Sequence, residues 1–334
     1  MDSRALNEEN YARCDAHAPG NQWDFTRFNP AHFRRLERCI RALGEMGIQA
    51  DLILFHPYDR WGFSCMPREA DDLYVRYVTA RFSAFHNVWW SLANEYDLMK
   101  EKTTADWERL AQWICRCDPY GHLRSIHHCF QFYDFHRSWV THCSIQRTHL
   151  YLSAELVNTW REQYRKPVVL DEIAYEGNIQ YGWGNLTGEE MTRRFWEGAL
   201  RGGHPGHGET FLHPEGVLWW SHGGTLHGDS PARIAFLRSI LSRVPGGALQ
   251  PCPRCAWDEV CACPSAAGRE DSLYLYYYSF MRPSFRDFSL PGTYRVFVID
   301  TWNMRMEERG IMEKTFRVSL PGRPYMAILL ERQA

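Results

Sequence analysis

The sequence has almost no net charge: 38 Lys and Arg stand against 40 Asp and Glu in 334 residues, a balance of -2. Without a basic field nothing is available to hold a phosphate backbone, so no nucleic-acid partner is expected. Long hydrophobic runs are missing as well. No uninterrupted apolar stretch reaches membrane length and no leader-like apolar core follows Met1, so no membrane partner is expected and the expected setting is cytoplasmic. The 11 cysteines lack the even count and rhythm of a disulfide scaffold, which fits reduced thiols. HExxH-type spacing is absent, and so are internal repeats and low-complexity tracts.

What is present is a large apolar inventory. Hydrophobic residues make up 45% and aromatics 15%, with 14 Trp, enough to fill one domain of about 200–250 residues and a smaller one. Helical spacing in PAHFRRLERCIRALGEMG, from 30 to 47, leads into ADLILFHPYD; DDLYVRYVTARFSAF, from 71 to 85, leads into VWWSLANEYD. TADWERLAQWICRC precedes LRSIHHC, HRSWV precedes CSIQRTHLY, and SAELVNTWREQY precedes KPVVLDEIAYEGN. TGEEMTRRFWEGALRGG then precedes HGETFLH, and SPARIAFLRSILSRV closes the series. Helix alternating with strand argues for parallel strands joined by right-handed crossovers.

Six strands are countable: ILFH, WWSLAN, LRSIH, CSIQR, PVVLDE and HGETF. The first 25 residues carry no strand pattern, so the reading is a (β/α)8 TIM-type barrel lacking its first two βα units, spanning residues 1–245; an open sheet is the alternative. Past VPGGALQPCPRC the texture changes to SLYLYYYSF, TYRVFVIDTW, KTFRVSL and YMAILLER, a small antiparallel, sandwich-like β domain over residues 246–334.

The strand ends carry hydrogen-bonding or ionisable groups: His56, Tyr58 and Asp59; Asn94 and Glu95; His127 and His128; Gln146 and His149; Asp171 and Glu172; Glu209. In a parallel α/β fold these ends share one rim. Trp219 and Trp220 fall in the long loop after the last strand.

Glu95 and Glu172 stand out. Counted with two missing strands, they close the fourth and seventh strands, which face each other across a barrel mouth. Retaining glycoside hydrolysis needs two carboxylates about 5–5.5 Å apart, one attacking the anomeric carbon and one protonating the leaving oxygen. Asn94 suits the sugar hydroxyl beside that carbon. A solvated loop acid is the plain alternative for Glu95, and an ion pair with Arg147 the plain alternative for Glu172.

WSLANEYD and KPVVLDEIAYEGN resemble the acid/base and nucleophile segments of the retaining (β/α)8 glycoside hydrolases that include cellulases and β-mannanases. WDFTRFNP, LILFHPYDRWGF, NIQYGWGNLTGEEM, GHGET and LWWSHGG resemble, more narrowly, bacterial apiosidase-like glycoside hydrolases with a C-terminal β domain of unassigned function. The resemblance implies Glu95 as general acid/base, Glu172 as nucleophile, Asn94 on the 2-hydroxyl, His56 as a hydrogen bonder and Trp220 as a stacking platform. Asp59, His128, Gln146, Tyr175 and Glu209 complete the expected substrate contacts, and the partner would be an oligosaccharide or glycoside. Apolar neighbours such as Trp89, Trp90 or Tyr96 would keep the acid protonated, while Tyr175, Gln146 and His128 are candidate donors to the nucleophile. His127, His128 and His149 suit buried packing as well as they suit substrate contact.

The double displacement needs no cofactor and no metal. Cys252, Cys255, Cys261 and Cys263 in CPRCAWDEVCAC could close a structural zinc site, but the second pair is CxC where zinc knuckles use CxxC. Two rival readings stay open: a carbohydrate-binding protein that has lost turnover, and a metal-dependent hydrolase using the histidines.

Overall fold

The computed structural model describes residues 24–58, 62–212, 225–255 and 259–333. The chain divides into two compact units, one ending at Gln146 and one running on from Arg147.

In the first unit, α1 (Pro30–Glu45) starts where Asn29 accepts the N–H groups of Ala31 and His32 through its side chain and Pro30 supplies a helix-ready φ. It feeds β1 (Ala50–Phe55). Next, α2 (Arg68–Phe82) precedes β2 (Val88–Ala93). α3 (Thr104–Cys117) opens with a reciprocal capping box between Thr103 and Asp106 and precedes the short β3 (Arg124–Ser125) and then β4 (Cys143–Gln146). β1, β2 and β3 pair in parallel in that order, and a parallel bridge joins His127 to Ser144. Trp90, Leu92 and Ala93 of β2 are fully buried, as parallel strands covered on both faces require. The helix expected over HRSWV does not form: these residues make turns, with the Trp139 ring edge-on to Tyr133 and its N–H on Glu108. Five residues are too few to sustain a helix alone.

The second unit begins with α4 (Val157–Tyr164), β5 (Val168–Glu172) and β6 (Glu176–Gly177). α5 (Gly188–Leu200) leads to β7 (Gly203–Pro205), β8 (Glu209–Thr210) and α6 (Ser230–Leu241). β5 pairs in parallel with β7, and β6 with β8. The strand beside β5 is thus Gly-His-Pro, invisible to a search for apolar alternation, and the expected HGETF strand shrinks to two residues beside β6.

β9 (Leu249–Pro251), β10 (Val260–Pro264), β11 (Leu273–Tyr277), β12 (Phe285–Asp300), β13 (Arg305–Ser319) and β14 (Met326–Arg332) follow. They form one antiparallel sheet, ordered β13-β12-β14-β11-β10-β9, where a sandwich-like domain was expected. The 16 residues of β12 pass register shifts between Leu290 and Thr293 and between Val296 and Phe297. Such bulges bend a strand, so one long strand can turn where two layers would otherwise be needed. Tyr274, Tyr276, Phe288, Tyr294, Val296, Val298, Ile328 and Leu330 build its core. α5 packs against this sheet: Trp196 stacks on Tyr277 at 5.3 Å, and Ser279 donates to Glu197 at 2.7 Å. The change of texture near residue 245 therefore falls inside one compact unit.

Candidate active site

Glu95 closes β2 in a left-handed turn, φ 45° and ψ 53°, a conformation that costs an L residue energy and is retained where geometry matters. It is 4% exposed. Three side chains donate to its carboxylate: Tyr58 Oη and Asn94 Nδ2 to Oε2, the latter at 3.2 Å, and Gln146 Nε2 to Oε1 at 3.1 Å. Its backbone N–H points at His127 Nδ1, 3.3 Å away, while His127 N–H donates to Ala93 O and Tyr96 N–H to His127 O, both at 2.9 Å. The ends of β1, β2 and β4 and the residues after β3 thus meet at one carboxylate.

Burial, and then the neighbouring His128, push the His127 imidazole down to about 3; burial pushes His128 down to about 4. Both rings are neutral at physiological pH, which lets His127 Nδ1 accept. The Trp90 N–H donates to Asp118 at 3.1 Å and the Tyr96 hydroxyl to Phe132 O at 3.3 Å, so these aromatics serve the core. Asp97 clamps the following loop by accepting the N–H groups of Cys129, Phe130 and Gln131 at 2.7, 2.8 and 2.9 Å.

In the other unit, Glu172 is the last residue of β5 and is half-buried. Its carbonyl accepts the Arg147 N–H at 2.7 Å, while the Arg147 guanidinium serves Glu155 and Leu152 O. Two residues on, Ala174 is also left-handed, φ 65°. Arg194 of α5, fully buried, donates to Ile173 O at 2.6 Å, His149 O at 2.9 Å and Leu150 O at 2.7 Å, and pairs with Glu190 at 2.7 Å. It holds the turn after Glu172 against a neighbouring loop. Tyr175 donates its N–H to Trp183 O at 2.7 Å and meets the Trp183 ring edge-on. A Cβ on Gly208 would lie 2.1 Å from the Tyr175 ring, so only glycine leaves room there.

Glu209 has a different setting. It is fully buried, and its oxygens accept the N–H groups of His227 at 2.7 Å and Gly228 at 3.0 Å. Glu176 likewise accepts Asp229 N–H at 2.6 Å and both the N–H and hydroxyl of Ser230, at 3.0 and 2.5 Å, at the start of α6. With His207 these two place their ligand atoms within 4.8 Å of one another, a cation-like spacing. Backbone donors already hold the carboxylates, so the trio works as the anchor of the α6 entry loop.

His56 follows β1 and His128 lies behind His127, its ring 4.2 Å from Phe132. Asp59 and Trp220 lie outside the described residues. Tyr58 stood in the expected rim without a role, and its contact with Glu95 gives it one; the bonds from Arg194 to Ile173, His149 and Leu150 and from Glu95 N–H to His127 had no signal, because each joins a side chain to a backbone atom distant in sequence. Cys65 is disulfide-bonded, against the expectation of reduced thiols throughout. Among the described residues no helix is long and apolar enough to cross a membrane.

Residues 2–266 match the apiosidase-like catalytic domain, and residues 257–331 match a domain of unknown function, DUF5605. No curated protein matches. A crystal structure from Bacteroides vulgatus ATCC 8482, provisionally named a glycoside hydrolase, is similar at 37% identity and a TM-score of 0.85 over 93% of this chain. This chain spans 65% of that protein's length. A glycoside hydrolase family 5 structure from the same organism shares 14% identity with a TM-score of 0.70, over 98% of this chain and 78% of its own. A further structure titled glycoside hydrolase has 13% identity and a TM-score of 0.71, over 98% and 81%. These two similarities speak for a TIM-barrel-like α/β fold. The chain belongs to the apiosidase-like catalytic-domain family, with a DUF5605 domain at its C-terminal end.

Proposed function

We propose that this chain is a retaining O-glycosidase, with Glu172 as nucleophile and Glu95 as general acid/base. The observation that carries the reading is the Glu95 setting: a buried strand-end carboxylate, in a strained turn, gripped by three side-chain donors. Family membership supports the same class of chemistry.

In the first half-reaction a Glu172 oxygen attacks the anomeric carbon, the bond to the leaving oxygen breaks, and Glu95 delivers a proton to that oxygen. In the second, Glu95 takes a proton from water, the water oxygen attacks the same carbon, and Glu172 leaves as carboxylate. Asn94, next to the acid, would bind the 2-hydroxyl and strengthen that contact as charge develops. Tyr58 and Gln146 fix the Glu95 carboxyl and can yield to a glycosidic oxygen, because side chains rotate where backbone donors do not. His56, Asp59, His128, Tyr175 and Trp220 are the further proposed substrate contacts, whereas Glu209, held by backbone donors, would act through the loop it anchors.

The test is a panel of aryl glycosides, with an aryl apioside tried first because of the family. The expected result is turnover insensitive to chelator, abolished in Glu172→Ala and partly restored by azide as a glycosyl azide of inverted configuration. Oligosaccharide binding without turnover of any glycoside would favour a binding protein instead. Loss of turnover on chelation would favour a metal hydrolase.

A further inference from the structure

The four cysteines around the β9–β10 turn have no part in the proposed glycosidase chemistry. Cys252 and Cys261 face each other across the two strands, joined by the Cys252 N–H to Cys261 O bond at 2.8 Å. Because β10 alternates its faces, Cys263 falls on the same face as Cys261, while its neighbour Ala262 pairs with Pro251. The CxC spacing that looked wrong for a second knuckle is therefore what a strand needs to aim two sulfurs the same way. Cys255 completes the set from the CPRC turn, its S–H donating to Cys252 O at 3.0 Å.

The Cys255 sulfur also lies 3.9 Å from Cys261 O, so all four side chains gather around one strand pair, although no three of their sulfurs lie within 4.8 Å of one another. Cys252, Cys261 and Cys263 are 4%, 2% and 4% exposed, whereas Cys255 is exposed at the mouth. All four are thiols, not disulfides. Buried cysteine often serves as a small apolar side chain, but that role gives no reason for an exposed fourth thiol beside the three buried ones.

We infer that Cys252, Cys255, Cys261 and Cys263 form a tetrathiolate site for one zinc-class cation, stapling the β9–β10 turn to the C-terminal sheet. Cys252 and Cys261 pair across the strands, Cys263 shares the Cys261 face, and Cys255 reaches back to Cys252 O. Zn–S bonds of about 2.3 Å impose S···S edges of about 3.8 Å, so binding would draw the four side chains together by rotation. The thiols release their protons to solvent as they bind. The inference is independent of the glycosidase reading.

The test uses the full chain, purified in reductant, with metal analysis and Co2+ titration. The expected result is about one zinc per chain, and with Co2+ the intense thiolate charge-transfer and tetrahedral ligand-field bands that saturate at one equivalent. Cys255→Ser, at an exposed position that leaves the fold intact, should weaken binding by more than the roughly 10–100-fold typical of outer-shell changes. Cys39→Ser, an exposed thiol on α1, should change nothing. Protein free of zinc whose Co2+ titration shows no thiolate bands would overturn the inference, as would equal binding by wild type and Cys255→Ser.

Discussion

Glu95 and Glu209 are both deeply buried carboxylates at the edges of short strands, and they differ in what holds them. Side chains donate to Glu95: Tyr58, Asn94 and Gln146. Backbone N–H groups of residues 227 and 228 donate to Glu209. Side-chain donors can swing to a ligand and return, whereas backbone donors are given up only when the loop itself comes apart. A buried acid gripped by rotatable donors is equipped for chemistry, and one gripped by the main chain is equipped to hold a loop.

The strongest way to break that contrast is Glu95→Ala. It should lower kcat/KM on a glycoside with a poor leaving group by about 10²–10⁴-fold, yet lower kcat/KM only slightly for a dinitrophenyl leaving group, which needs no proton, while kcat on that substrate falls because the water of the second step loses its base. An equal loss on both substrates would remove the acid/base role. Glu209→Ala should act on stability, costing about 2–4 kcal/mol in urea unfolding because two charge-assisted hydrogen bonds vanish and buried N–H groups are left over. A stability unchanged by that substitution would contradict the anchor role.

A third expectation concerns acid. His127 is neutral in the fold, with its pKa near 3, but titrates near its usual 6.5 when unfolded. The unfolded state therefore binds the extra proton, so the contribution is complete above pH 6.5 and is lost progressively as pH falls toward 3. Stability of the first unit should drop by up to about 3 kcal/mol between pH 6.5 and 4, and His127→Gln should flatten that slope in a pH series of unfolding curves. The smallest effect belongs to Tyr58→Phe: kcat down about tenfold, with stability changed by under about 1 kcal/mol. A Tyr58→Phe protein as active as wild type would make its contact with Glu95 incidental.

The elements with strong periodicity or a local start signal were legible. Asn29-Pro30 and the Thr103–Asp106 box mark helices within a few residues, and the apolar run before Glu95 marks a buried strand. β7 was not legible, because Gly203, His204 and Pro205 form a strand through pairing with β5 and carry no pattern of their own. Glu172 and Gln146 could be named as strand-end residues, but the choice of carboxylate that Gln146 serves is tertiary: it donates to Glu95, 51 positions away. Glu209 looked the same in sequence as Glu95, since the type of donor is not written near either residue. The shared face of Cys261 and Cys263 was hidden by a rule about spacing that holds for knuckles and not for a strand.

The most direct test of the central assignment is a covalent trap. A 2-deoxy-2-fluoro glycoside with a dinitrophenyl leaving group, built on whichever sugar is turned over, should inactivate the enzyme and leave one fluorosugar on the peptide that contains Glu172, located by mass spectrometry after proteolysis. A label on any other residue, or turnover that releases product of inverted configuration with no label at all, would contradict it.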